Sequence, residues 1–89
     1  MNIDYTVQIW KEGKQFVAHA MPLDVMSSGM TPEEARKALD EAVRLFLNTA
    51  ADMGTLEEIL EEVGYQRTND TWAEPAWMAI EKHSTVIGV

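Results

Sequence analysis

The side chains of this 89-residue chain that could do chemistry are two histidines, His19 and His83, an adjacent serine pair, Ser27-Ser28, and a carboxylate run, Glu57, Glu58, Glu61 and Glu62. Cysteine is absent, which removes thiolate nucleophiles, thiolate metal ligands and disulfides together. Neither histidine belongs to a His-x-x-His or Glu-x-x-His pattern, so no metal site is expected. Ser27 and Ser28 precede Gly29 but lack the Gly-x-Ser-x-Gly elbow that exposes a nucleophile, and Gly29 alone makes no phosphate loop. No set of strand-end carboxylates suggests a magnesium centre. The expectation is a protein that is not an enzyme, with no catalytic residue, cofactor or metal.

Charge then says what kind of partner suits it. Fifteen acidic residues against seven basic ones give a formal net charge of −8. Nucleic-acid binding draws most of its affinity from Lys and Arg on phosphates, so direct DNA or RNA binding is not expected. A partner with a basic surface would be steered toward this chain by the complementary field. No run approaches the roughly 20 apolar residues of a membrane helix, and Met1-Asn2-Ile3-Asp4 has no signal-peptide character. A soluble, cytoplasmic protein without membrane contact is expected.

The elements that must position these residues follow from hydrophobic periodicity. Ile3, Tyr5, Val7 and Ile9 alternate with Asp4, Thr6 and Gln8, a half-buried strand, with Trp10 breaking the alternation on the polar side. Lys11-Glu12-Gly13-Lys14 is a turn, and Gln15 to Met21 a second strand, in which His19 has the opposite parity to Phe16 and Ala18. Pro22-Leu23-Asp24 interrupts, and Val25 to Ser28 forms a short third strand ending at Gly29. Thr31-Pro32-Glu33-Glu34 joins an N-cap, a proline at the first helical position and a capping-box glutamate. The helix it opens carries Ala35, Leu39, Ala42, Val43, Phe46, Ala50 and Met53 on one stripe, which Leu45 and Leu47 widen. Gly54 ends that helix, Thr55-Leu56-Glu57-Glu58 reads as a second capping box, and Gly64 ends the short helix that follows. Thr68-Asn69-Asp70 is a turn, and a final strand is expected within Met78 to Val89. The six methionines, Met21, Met26 and Met30 among them, suit core filling or an adaptable binding surface.

Tyr5-Thr6-Val7, Gly13, Phe16-Val17-Ala18, Pro22-Leu23, Gly29 and Thr31-Pro32-Glu33-Glu34-Ala35, in this order, resemble the HicB family of antitoxins. The run from Gly54 to Tyr65 looks like the extension of compact members, so the resemblance covers about residues 3 to 65. The chain departs from the family pattern at Met30, where an acid is usual, and at Asp24-Val25, where Pro-Gly is common. The resemblance implies an α+β, partial RNase H-like β-β-β-α-β sheet with one main helix and a second short helix. It also implies binding and neutralisation of a small basic HicA-type ribonuclease toxin that cleaves mRNA. The DNA-binding segment of larger members has no counterpart in 66–89, whose only bases besides His83 are Arg67 and Lys82.

The organisation expected is one domain over 1–89: a three-stranded sheet at 3–29, a main helix at 31–53, a short helix at 55–63, and a linker with a C-terminal strand at 65–89. The partner-binding candidates are Asp24, Ser27 and Ser28 in one set and Glu57, Glu58, Glu61 and Glu62 in the other. Ser84-Thr85-Val86-Ile87-Gly88-Val89 carries no charge to blunt a sheet edge, so a homo-oligomer using that strand is expected. Two alternatives stand beside the antitoxin: an orphan oligomeric interaction module without a toxin partner, and a degenerate nuclease.

Overall fold

The computed structural model describes residues 1–88 of the chain. The alternating N-terminal segment forms two strands, β1 (Asn2–Ile3) and β2 (Thr6–Glu12). Between them Asp4 has both backbone groups in use: its N–H donates to the Trp72 carbonyl at 3.1 Å, and its carbonyl accepts from the Tyr65 hydroxyl. Asp4 therefore leaves no orphaned backbone group at the break.

β2 turns through Gly13, at φ +59°, into β3 (Gln15–Met21), and a glycine at the first position of a two-residue turn suits a type II′ hairpin. The loop Pro22–Asp24 then leads to β4 (Val25–Gly29), giving an antiparallel sheet in the order β2-β3-β4. Register pairs Ile9 with Ala18, Ala18 with Ser27, and Phe16 with Gly29. These residues share the face that receives α1 (Pro32–Asp52). The helix lies over β3 and β4 and meets β2 only marginally, through a contact plane of small residues, Ala18, Ala20 and Ala35, with no exposure at all. At Gly29 the approach is closest: a Cβ there would lie 2.7 Å from both the Ala35 nitrogen and the Glu34 Cβ.

The N-terminus of α1 has the N-cap and the proline that its sequence predicts, but the capping box closes only in half, since Glu34 turns to Met30 rather than to the Thr31 N–H. Thr31 has extended backbone, its hydroxyl accepts from the Glu34 N–H at 3.0 Å, and the Glu34 carboxylate accepts from the Met30 N–H at 2.9 Å. Ala35, Leu39, Val43 and Ala50 are buried along the stripe, whereas Met53 is exposed because it is already the C-cap. Of the two flanking leucines, Leu47 packs against the core and Leu45 stands in solvent.

Gly54, at φ +75°, closes α1 in a Schellman motif: Thr55 N–H reaches the Ala50 carbonyl at 2.9 Å, and Gly54 N–H the Ala51 carbonyl at 3.1 Å. α2 (Leu56–Glu62) ends the same way at Gly64, where Tyr65 N–H bonds the Leu60 carbonyl at 3.0 Å, and both side chains enter the core. The expected second capping box does not form. The Thr55 hydroxyl donates back to the Ala50 carbonyl at 3.3 Å, spending on the end of α1 the group that would have capped α2.

The largest correction concerns the C-terminal strand. Residues 78–88 contain no strand, and Val89 lies outside the described residues. The strands after the helices are instead β5 (Gln66–Thr68) and β6 (Thr71–Ala73), a hairpin turning at Asn69, which takes φ +57°. β6 runs parallel to β1, pairing Ile3 with Trp72, and completes a second sheet in the order β1-β6-β5. Among the described residues, six strands thus replace the four expected. β-prone composition over 78–88 could not place a strand there, because the edge beside β1 is taken by a segment that buries Trp72. The fold is α+β: the described residues form two helices and two small three-stranded sheets joined by one core that includes Leu23, Leu39, Leu60, Tyr65 and Trp72.

Two substitutions test this account. Thr31→Ala is expected to cost about 1 kcal/mol through the lost cap. Gly29→Ala should cost about 1–3 kcal/mol, because the methyl group forces the first turn of α1 off the sheet. Urea midpoints at constant m-value measure both, and a neutral Gly29→Ala would mean that α1 does not need this approach.

Candidate interaction surface

With α1 on one face of the β2-β3-β4 sheet, no helix covers the other among the described residues, and Glu74 and Trp77 meet it only at Thr6, at the start of β2. Strand parity and register put Gln8 and Trp10, Val17 and His19, Met26 and Ser28 on that face. Trp10 is 38% exposed and Met26 57%. His19 holds the centre: its Nδ1 lies 3.0 Å from the Gln8 Oε1 of the neighbouring strand, and its Nε2 2.7 Å from the Asp24 carboxylate. The Trp10 indole meets the imidazole edge to face, with ring centroids 6.4 Å apart. Both ring nitrogens lie within hydrogen-bond distance of a neighbour, so the imidazole ties the β3–β4 loop to the sheet.

Asp24 sits in that loop with φ +61°, a left-handed conformation that Asp tolerates better than most residues, while its N–H donates to the Ala20 carbonyl at 2.8 Å. Its side chain is 86% exposed even with one oxygen on His19. The first candidate set is therefore split by the pleat. Asp24 and Ser28 border the face opposite α1, whereas Ser27, paired with Ala18, shares the face under α1. The second set stays together: Glu57, Glu58, Glu61 and Glu62 are all exposed on α2, and Arg67, with its guanidinium 3.4 Å from Glu57, is the base that meets them.

Strand periodicity alone gives His19 a face but no partner. The signal that could have found them lies in the hairpin, since a two-residue turn pairing Glu12 with Gln15 puts Gln8 opposite His19 by counting back four pairs. The contact with Asp24 has no such signal, because it depends on the loop's left-handed turn.

A second feature lies beside β1. An open cavity of about 460 Å³ is lined by Ile3, Tyr5, Asp40, Val43, Arg44 and Leu47. The Tyr5 hydroxyl donates to Asp40, linking the β1–β2 break to α1. Burial, followed by that hydrogen bond and the carboxylate's charge, pushes the Tyr5 phenol up to about 12. Burial and then the charges of Glu74 and Asp4 push Tyr65 higher still.

Among the described residues, no group of three His, Cys, Asp or Glu side chains could hold a metal ion. Nor is any described helix long and apolar enough to cross a membrane. Comparison with protein-family models, with curated proteins and with solved structures finds no match.

The tyrosines set an alkaline limit. Each is held neutral in the fold, so its stabilising contribution is complete below the unfolded value of 10.0 and is lost as pH rises through the folded one. Stability should begin to fall above pH 10 and continue downward through about 12, the Tyr5 value. Urea midpoints against pH, read beside tyrosinate absorbance, measure this. Tyr5→Phe should flatten part of the decline, and a midpoint constant across that window would refute it.

Proposed function

We propose that this chain is a cytoplasmic antitoxin-like binding protein that occupies a small basic ribonuclease toxin of the HicA type. The observation that carries the reading is the sheet face opposite α1, where Trp10 and Met26 stand exposed around a fixed His19 and Asp24 supplies a carboxylate at the rim. An aromatic anchor with apolar neighbours and a polar border is the composition of a protein-binding centre. The net charge of −8 favours a basic partner, which a ribonuclease must be in order to hold RNA. The order of motifs from Tyr5 to Ala35 supports the same class by its resemblance to HicB antitoxins.

In this reading the two acidic sets divide the work. Asp24 and Ser28, beside the anchor, make the close contacts, and the glutamates of α2 act at a distance by steering. The second reading, an oligomeric interaction module without a toxin, is favoured by one observation, the exposed apolar side chains in segment 76–88.

Surface plasmon resonance against the cognate toxin tests the division. Replacing Glu57, Glu58, Glu61 and Glu62 by Gln should slow association, with the effect fading as added salt shortens the Debye length from about 10 Å at 0.1 M to about 3 Å at 1 M. Asp24→Asn, which keeps the left-handed turn accessible, and Trp10→Ala should instead speed dissociation, Trp10→Ala by about thirtyfold, the equivalent of about 2 kcal/mol. Binding untouched by any of these changes would sink the assignment of this surface, and absence of binding to any basic ribonuclease encoded beside this chain would sink the antitoxin reading itself.

A further inference from the structure

Segment 76–88 has neither helix nor strand and is exposed throughout. Met78, Ile80, Val86 and Ile87 are 96, 60, 95 and 73% exposed. The Cα radius of gyration is 15.4 Å, against about 12 Å for a compact chain of this length, so the segment stands away from the body. Its root is nonetheless fixed. Pro75 lies against Gly64, the Trp77 indole N–H reaches the Glu74 carboxylate, and its nitrogen lies 3.2 Å from the Thr6 hydroxyl oxygen, at the first residue of β2. Pro75 has no N–H for a ladder, which stops β6 from running on beside β2. The outer edge of β2 has no strand partner among the described residues beyond that point, and Val7 beside it is exposed because α1 lies over β3 and β4.

We propose that segment 76–88 pairs as an added strand with the β2 edge of a second copy of this chain, reciprocally, to form a two-fold dimer. Charge selects the edge, and at that edge it does not oppose a second copy. The chain carries −8 overall and repels itself, yet β2 has one acid and one base, Glu12 and Lys11, with Lys14 following in the turn, and the segment has Glu81 against Lys82. The alternative edge, β4, is bordered by Asp24, Glu33 and Glu34 and opposes approach by an acidic chain. Size agrees as well: the thirteen residues of 76–88 from one copy, with the seven of β2 it offers in return, supply the roughly 20–30 residues a side of a standard interface. An uncharged run with Val86 and Ile87 is the pattern that strand addition reads, backbone for affinity and alternate side chains for specificity.

Sedimentation of the full chain, without any toxin, tests this. At tens of micromolar it should run as a dimer. Val86→Asp with Ile87→Asp should weaken self-association by at least about thirtyfold, the size of a hot-spot loss, with unchanged far-ultraviolet circular dichroism. Val7→Lys with Trp10→Lys should do the same from the other side, and mixing the two variants should restore a dimer through the one interface left intact. Should the edge variant fail to fold, a photo-crosslinker at position 86 in mixed light and isotopically heavy chains takes its place, and light-to-heavy crosslinks into residues 6–12 are expected. A monomeric full chain, a dimer that survives the Val86 and Ile87 changes, or crosslinks into 6–12 only within one copy would each overturn the proposal.

Discussion

The close contact between α1 and the β3–β4 half of the main sheet sets the terms for the rest of the molecule. A helix can come this near only where the facing positions have almost no bulk, and Gly29, Ala18, Ala20 and Ala35 supply that plane. Interiors pack at crystal-like density, so a helix drawn down over β3 and β4 leaves less of itself for β2. The consequence is asymmetry: one sheet face covered by α1, the other not, and one edge strand with Val7 still in solvent.

The second sheet and α2 are tied to this unit through a few groups that satisfy one another. Asp4 uses its N–H on Trp72 and its carbonyl on Tyr65, so the chain can pass from one sheet to the other without stranding backbone polarity. Two Schellman closures, at Gly54 and Gly64, carry the chain from α1 through α2 to Tyr65, with glycine permitting the left-handed turn each time. Tyr65 and Trp72 then enter the core that α1 also reaches. The same burial that makes them structural keeps the Tyr65 phenol neutral.

On the face opposite α1, fixed polar contacts and exposed apolar groups lie side by side. His19 is held by Gln8 and Asp24, while Trp10 and Met26 remain available. The polar groups at its centre are paired within the chain, and the apolar side chains around them keep area in solvent. The acids of α2 lie on a different element, all of them exposed to solvent.

Local chemistry was legible in the sequence wherever it depended on neighbours along the chain. The cap at Thr31, the proline at Pro32, the turn at Gly13 and the two helix-ending glycines are decided within four or five residues, and the structure has each of them where the sequence puts it. The apolar stripe of α1 was readable for the same reason. What tertiary structure alone decided concerns competition between distant groups. Tyr5 reaches Asp40 and Tyr65 reaches the Asp4 carbonyl, pairings across the chain that no local pattern announces. The β-prone run in 78–88 had strand composition, yet the place beside β1 went to Thr71–Ala73, because only that segment could bury Trp72 there. Composition states what a segment can pair with, and burial across the whole chain decides which candidate takes the place.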